Sequence, residues 1–338
     1  MAKIRWGVLG VAGIAVKKVI PAMQLAAHAE VTAVASRDLN KAQSAAQTLG
    51  ISKAYGSYEE LLDDPNIDAI YNPLPNHLHV PWSIRAAEAG KHVLCEKPIG
   101  LNVADARKLI EVRNRTGVKI GEAFMIVCHP QWLRVMEQVR TGAIGDLRAM
   151  QTVFSYTNTN PANIRNMADI GGGGLMDIGC YGIKGSRMIF NAEPKRVIGL
   201  IDRDPQFQTD RLTSAMLDFE NGQSVFTCST QLVPYQIVQV FGTKARIEIE
   251  IPFNAIPGEA MRIRTDDGSK LGGASAHEAA APPCDQYTLQ ADEFSLAIRG
   301  ERSGVPVTLE DAARNMAVID AILRSAQSGK WETPERID

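Results

Sequence analysis

Ile4-Arg5-Trp6-Gly7-Val8-Leu9-Gly10-Val11-Ala12-Gly13-Ile14-Ala15 stands at the start of the chain, and the architecture follows from it. Residues 4–9 read as a short apolar strand, and Gly10 turns that strand into a helix expected to reach about Ala27. A helix entered through such a turn presents free N–H groups and the positive end of its dipole, which together receive a pyrophosphate. The spacing is that of G-x-G-x-x-G, with Ala12 and Ala15 in place of the second and third glycines. Taken alone it is a degenerate fingerprint, equally at home in any strand–helix turn.

The neighbours of this turn give it weight. Strands are expected at 30–35, 54–55, 68–71, 91–95 and 118–123, with helices at 40–49, 77–89 and 104–115 between them. Ser57 with Glu60 has the form of a capping box for a further helix, and Gly90 and Gly117 stop the later two. Alternation of this kind requires right-handed crossovers and a parallel sheet covered on both faces. Ligands of such sheets sit at the carboxyl ends of the strands. Gly10, Ser36, Pro73 to Asn76, and Glu96-Lys97 all fall at those ends.

From about Met125 the pattern changes. A helix at 132–140 leads to a strand at 147–156, then to the glycine run 171–174 and a helix ending near Phe190. Strands follow at 196–201, 212–219, 224–231, 237–242 and 245–251, with Asn221-Gly222 marking a hairpin. Several of these strands are apolar on both faces, so the sheet is expected to meet a partner subunit. Residues 268–283, rich in Gly, Ala and Pro, are expected to form a mobile loop, and a last helix spans 309–325.

A chain of 338 residues is long for one core, so two domains are expected. An apolar content of 45% and a charged content of 22% are those of a soluble globular protein. With a net charge of −2 and a pI near 6.3 there is no basic field to attract nucleic acid or anionic lipid. The five cysteines are scattered without C-x-x-C spacing, which argues against a zinc site or a disulfide frame and for a reducing compartment. No export signal or membrane-spanning apolar run is visible, and a cytoplasmic location is expected.

Four segments carry candidate chemistry. The second strand ends in Ala35-Ser36-Arg37-Asp38, with Lys41 a turn later. A hydroxyl and a guanidinium suit a 2′-phosphate and favour NADP. In the alternative reading Asp38 holds the ribose of NAD and Arg37 is merely solvated. Leu74-Pro75-Asn76-His77-Leu78-His79 reads as a proline-bounded loop in which Asn76 caps the next helix, as a wall of the nicotinamide subsite, or as both at once. Glu96-Lys97-Pro98 fixes a lysine at the end of a buried strand. Gly171-Gly172-Gly173-Gly174-Leu175-Met176-Asp177-Ile178-Gly179-Cys180-Tyr181 has four glycines to let backbone approach a ligand, and sets Asp177 and Tyr181 at i and i+4 on one helix face. Near an ammonium such as Lys97 this pair makes a proton-transfer group, and otherwise a capped helix with an internal hydrogen bond. His129 either points into a cleft or is structural. No cluster has metal-ligand spacing, and no metal is expected.

In this order, Gly10-x-Ala12-x-x-Ala15, Leu74-Pro75-Asn76-x-x-His79, Glu96-Lys97-Pro98 and the block from Gly171 to Tyr181 resemble the glucose–fructose oxidoreductase, inositol dehydrogenase and rhizopine-catabolism (Gfo/Idh/MocA) family, over essentially the whole chain. The resemblance implies an α/β fold: a Rossmann dinucleotide-binding domain over residues 1–124, then an α+β domain over 125–338 whose open-faced, mostly antiparallel β-sheet builds an oligomer interface. From the apolar faces of that sheet a homodimer is expected, with a tetramer as the alternative. It implies cofactor contacts from Gly10, Ala12, Gly13, Ile14, Ser36, Arg37, Lys41, Pro73, Leu74, Asn76, His79, Glu96 and Lys97. Catalysis would fall to Lys97, Asp177 and Tyr181, with Arg165, Asp177 and Tyr181 against the substrate. Many members carry histidine where this chain has Tyr181, which is similar instead to the glucose–fructose, aldose, xylose and dihydrodiol branch. Val127 and Ile164 depart from the arginine and tryptophan common at those places. The implied activity is NADP-dependent oxidation of a cyclic aldose at C1 to an aldonolactone, with retained cofactor regenerated by a second sugar as an extension. Dihydrodiol oxidation, anhydro-sugar reduction and a nucleotide-binding regulatory protein without turnover are the alternatives.

Overall fold

The computed structural model describes residues 2–337. Six strands, β1 (Ile4–Leu9), β2 (Ala29–Ala35), β3 (Lys53–Tyr55), β4 (Ala69–Asn72), β5 (His92–Cys95) and β6 (Ile120–Glu122), form a parallel sheet in the order β3-β2-β1-β4-β5-β6. Between them run α1 (Ile20–Gln24), α2 (Leu39–Leu49), α3 (Tyr58–Leu62), α4 (Asn76–Glu88) and α5 (Val103–Thr116). Strand order reverses between β1 and β4, and the crevice at such a reversal is where dinucleotides bind. Trp6, Val8 and Leu9 of β1 are fully buried, so this central strand reads as a continuous apolar run. Helix starts follow local chemistry: Asp38, Ser57 and Asn102 cap α2, α3 and α5 with their side chains. The first helix departs from expectation. A π turn over Ala15–Val19 precedes α1, which ends at Gln24 rather than Ala27.

The later chain contributes α6 (Pro130–Arg140), β7 (Leu147–Thr157), and a π turn over Leu175–Gly179 that runs into α7 (Cys180–Phe190). Strands β8 (Arg196–Arg203), β9 (Asp210–Phe219), β10 (Gly222–Ser229), β11 (Gln231–Gly242), β12 (Arg246–Ile249), β13 (Met261–Asp266) and β14 (His277–Ala281) complete a second sheet, ordered β14-β13-β12-β11-β7-β10-β9-β8. Its described neighbours pair antiparallel except β7 with β10. One face is buried against helix: a Cβ on Gly182 would stand 3.0 Å from the Phe226 side chain, and one on Gly179 2.9 Å from Cys228 Sγ. The opposite face carries Val153, Met216, Val225 and Ile237, half-exposed, and Leu200, 78% exposed.

Residues 268–283 are not the loop expected from their composition. They hold a 3-10 turn over Leu271–Gly273 and the edge strand β14, which pairs with β13 from His277 opposite Thr265 to Ala281 opposite Met261. Alanines at 279–281 give no β-branched or aromatic signal, so the strand shows only in its pairing. β11 likewise begins at Gln231 rather than at 237. A register shift between Gln231 and Tyr235 carries Leu232 to Pro234 off the ladder, where a proline is tolerated.

Contacts divide the chain into two compact units: residues up to Cys128 with Asp285–Ala313, and His129–Cys284 with the residues from Arg314 on. A single cut at 124/125 therefore misplaces α8 (Gln286–Ile298), which belongs to the first unit. Its Phe294 meets Trp6 edge-on at 5.6 Å, Ser295 Oγ accepts from the Trp6 indole at 3.2 Å, and Asp292 accepts from the His28 amide at 2.7 Å. Nothing local to 286–298 announces this return. The last helix, α9 (Leu309–Ser328), agrees with the expected 309–325 to within three residues.

Candidate active site

Gly10 ends β1 at φ +83° and donates its N–H to Ala35 O at 2.7 Å. A Cβ there would stand 3.1 Å from the Leu74 side chain, so both conformation and space demand glycine. Gly13 is the opposite case, since a Cβ on it would meet nothing within 4 Å. That room at the start of a helix is what a pyrophosphate needs, and the residues present fit a dinucleotide. At the end of β2, Asp38 Oδ1 accepts from the amides of Asn40 (3.0 Å) and Lys41 (3.3 Å), while Ser36 Oγ accepts from the Asp38 amide at 3.2 Å. The carboxylate that would hold an NAD ribose is thus engaged as the cap of α2. Arg37 is exposed, and its positive charge acts on the Tyr58 hydroxyl. Burial raises the pKa of that phenol, against the pull of Arg37. The Tyr58 ring is buried edge-to-face on Trp82 at 4.7 Å, and its hydroxyl would be 3.5 Å from a Cβ on Gly10. Tyr58 thereby links the glycine turn to Arg37, a role that no motif in the sequence marks.

At the end of β5, Glu96 Oε1 accepts from the Tyr71 hydroxyl at 2.6 Å, and Glu96 Oε2 lies 3.3 Å from the Lys97 amide. Lys97 itself is half-buried. From α8, Tyr287 comes close enough to Glu96 that burial and then this carboxylate push its phenol well up. His79 is wholly buried. Its Nδ1 is 2.8 Å from Pro98 O and its Nε2 2.7 Å from Leu74 O, so it ties the loop after β4 to the loop that carries Lys97. Burial lowers the pKa of this imidazole to about 4, against the pull of both carbonyls. Among the expected cofactor residues, His79 is placed to hold backbone. Asn76 does not cap α4: the capping position falls on Pro75, with no side-chain bond.

In the second unit the glycine run meets protein. The amides of Gly172 and Gly173 donate to Met167 O and Arg165 O, both at 2.9 Å. A Cβ on Gly172 would lie 2.6 Å from Met167 O, and one on Gly173, at φ +118°, would overlap Asp210 Oδ1. These two glycines admit carbonyls and a carboxylate of the chain itself, which corrects the expectation that the run admits a ligand. Beyond it, Asp177 Oδ2 accepts from the Tyr156 hydroxyl at 2.6 Å and from Arg165 Nε at 2.7 Å. The Asp177 side chain is 14% exposed and that of Arg165 39%. Burial first, and the Asp177 charge second, drive the Tyr156 pKa far above its ordinary value, so Tyr156 is a fixed neutral donor. Tyr181, in the first turn of α7, packs against Phe154 (5.8 Å, edge-on) and Phe253 (5.2 Å, tilted) and is 6% exposed. Arg165 and Asp177, expected against substrate, are therefore brought together, with Tyr156 added. The signal for Tyr156 was its parity with buried Phe154 on β7. His129 caps α6, accepting from the Gln131 amide at 3.1 Å, and faces Cys284 Sγ at 3.4 Å. It is structural. Among the described residues no group of three or more His, Cys, Asp or Glu is arranged to hold a metal, and no helix is long and apolar enough to cross a membrane.

Residues 4–124 match the Gfo/Idh/MocA oxidoreductase family, NAD-binding Rossmann fold, and residues 132–248 match the Gfo/Idh/MocA C-terminal domain. An uncharacterized oxidoreductase of Rhizobium meliloti is 52% identical over 334 residues, covering 98% of this chain and all of that protein. A D-xylose 1-dehydrogenase (NADP(+)) of Haloferax volcanii is 36% identical, covering 96% of this chain and 98% of the relative. Among solved structures, a 3-ketoreductase from Actinomadura kijaniata in complex with NADP and TDP-benzene superposes with a TM-score of 0.89 at 28% identity, over 96% of this chain and 98% of its own. The aldose–aldose oxidoreductase of Caulobacter crescentus, complexed with glycerol, gives 0.87 at 27% identity, over 98% of this chain and 99% of its own. With both of its domains matched and relatives aligned over nearly its whole length, the chain belongs to the Gfo/Idh/MocA family of NAD(P)-dependent oxidoreductases.

Proposed function

We propose that this protein is an NADP-dependent oxidoreductase that oxidises a cyclic aldose at C1 to the aldonolactone. The observation that carries the proposal is the Asp177 carboxylate, fixed by Tyr156 and Arg165, standing one turn before Tyr181 in a chain that also keeps Lys97 at the end of β5. Bound NADP supplies the ring that takes up the C1 hydride with its electron pair. Tyr181 accepts the proton of the C1 hydroxyl. Lys97 lowers the energy of charge developing on the sugar oxygen. Asp177 accepts hydrogen bonds from neighbouring hydroxyls and orients the ring, and the aromatic wall of Phe154 and Phe253 limits the freedom of Tyr181. Aldose and NADP⁺ give aldonolactone, NADPH and one proton.

Preference for NADP over NAD is supported by the engagement of Asp38 as a helix cap and by Arg37 beside Tyr58. The exposed apolar side chains on the open face of the second sheet support association of two copies there. Kinship with the aldose–aldose oxidoreductase supports retention of the nucleotide and its regeneration by a second sugar.

The test is to mix the purified protein with glucose or xylose, add no nucleotide, and analyse the products. Many turnovers to aldonate plus alditol mean retained, regenerated cofactor. NADPH accumulation only after NADP⁺ is added means an ordinary aldose dehydrogenase. A protein that binds NADP and turns over no aldose under either condition would overturn the proposal in favour of another substrate or a regulatory role.

A further inference from the structure

Asp210 lies at the start of β9, outside every motif described above, and its side chain is buried. A buried carboxylate is costly unless donors meet it. Here Oδ2 accepts from the Leu175 amide at 2.6 Å and from Thr213 Oγ1 at 3.0 Å. Leu175 opens the π turn that continues into α7, and Gly174, at the capping position, offers no side chain. The cap is therefore supplied from a position 35 residues further along the chain. Its negative charge at a helix start also matches the dipole.

The glycine run is shaped around this carboxylate. Asp210 Oδ1 occupies the place of a Cβ on Gly173, and Oδ2 lies 3.3 Å from the place of one on Gly174. Asp177 is two residues beyond the capped amide, and Tyr181 follows within the next turns. Asp210 also acts on Tyr156, since its charge is among those that raise that phenol's pKa. One side chain thus touches the start of the helix and biases the donor that holds Asp177.

We infer that Asp210 is a positioning residue of the redox site, an inserted cap that fixes where the helix bearing Asp177 and Tyr181 begins and how it is rotated. The inference rests on the roles proposed for those two residues. Asp210 acts through the helix, without contact to substrate.

Two variants separate the possibilities. Asp210→Asn keeps an acceptor for the Leu175 amide and the Thr213 hydroxyl, whereas Asp210→Ala removes it. The readouts are amide hydrogen exchange over residues 174–181, kcat and KM for aldose, and the Kd of NADP by fluorescence. In Asp210→Ala, kcat falls at least ~30-fold while the NADP Kd stays within ~2-fold, because a displacement near 1 Å at reacting groups is enough for such a loss. Exchange over 174–181 rises at least ~10-fold in the same variant. Asp210→Asn recovers both to within ~5-fold of the native protein. A folded Asp210→Ala protein with native kcat and native exchange overturns the inference, as does an Asn variant no better than Ala. Should Asp210→Ala fail to fold, Thr213→Val decides: kcat lowered ~3-fold or more at unchanged NADP Kd supports the role, and unchanged kcat overturns it. If the native protein oxidises no aldose, the proposed function fails, while the exchange measurements still decide whether Asp210 holds this helix.

Discussion

Lys97 and Tyr181 divide the charge of the proposed reaction between them, one stabilising it on the sugar oxygen and one removing the proton. Replacing either should therefore act on turnover and little on binding. Lys97→Ala and Tyr181→Phe are each expected to lower kcat at least ~100-fold, with the NADP Kd of Tyr181→Phe within ~3-fold of native. Steady-state kinetics with an active sugar decide this, and normal turnover in both variants would sink the assignment. Arg37 makes a separate test of cofactor choice. Loss of one guanidinium–phosphate contact is worth about 1.5–3 kcal/mol, so Arg37→Ala is expected to weaken NADP binding ~10–100-fold and leave NAD nearly unaffected. Tyr58→Phe should move NADP in the same direction by a smaller factor, since it changes the surroundings of Arg37 without removing it. Equal loss of both nucleotides would point to general damage at the end of β2. At this scale the sequence was legible where a backbone demand and a local motif coincide, as at Gly10, whose φ of +83° and approach to Leu74 require glycine. Tyr156 was not, because its partner Asp177 lies 21 residues away and a tyrosine on an alternating strand looks like core.

Elements with their own punctuation were the readable ones. Asp38, Ser57 and Asn102 begin helices and Gly50 and Gly117 end two of them, so three of the five crossing segments of the first unit carry marks of local chemistry. β14 lacks such marks, being three alanines after His277 and Glu278. By contrast α8 has its cap in Asp285, which accepts from the Tyr287 amide at 2.8 Å, and what no local mark discloses is its return to the first unit. Two glycines show how a shared residue type serves different ends. Gly13 faces open space, so Gly13→Ala should change stability by less than ~0.5 kcal/mol yet raise the Kd of NADP at least ~10-fold if a pyrophosphate occupies that space. Gly173 combines φ +118° with the Asp210 carboxylate in the position of its Cβ. Gly173→Ala is expected to destabilise the second unit by about 2–4 kcal/mol, read from urea unfolding, and to leave NADP affinity in place. Reversal of the two effects would mean that the glycine run, rather than the Gly10 turn, borders the cofactor.

For the whole molecule, two compact units imply two stabilities, and acid should separate them. In the first unit, burial depresses His79 to about 4 from an ordinary value near 6.5. A histidine with a depressed folded pKa contributes stability above pH ~6.5 that is lost as the pH falls to about 4, roughly 3 kcal/mol for such a shift. Asp64, held low by Lys53, Asn66 and Tyr55 against its own burial, adds a further loss once the pH drops below about 4. The second unit contains a histidine of the same kind, His129, also lowered to about 4 by burial. It contains in addition Asp210, which burial raises to about 6. The sign there is opposite: a raised carboxyl gives stability that is complete below pH ~4 and lost as the pH rises through 6. Between pH 6.5 and 4, His79 therefore weakens the first unit without an equivalent offset, while His129 and Asp210 largely cancel in the second. Native-state hydrogen exchange, corrected for the intrinsic rate at each pH, should show β1 and β4 losing protection across this interval and β9 and β10 holding theirs. Two substitutions should then redistribute the response. His79→Gln flattens the pH dependence of the first unit, whatever it does to the plateau, and Asp210→Asn makes the second unit lose protection as acid charges His129. Equal loss in both units of the native protein, unaltered by either substitution, would show that these buried groups do not set its acid stability.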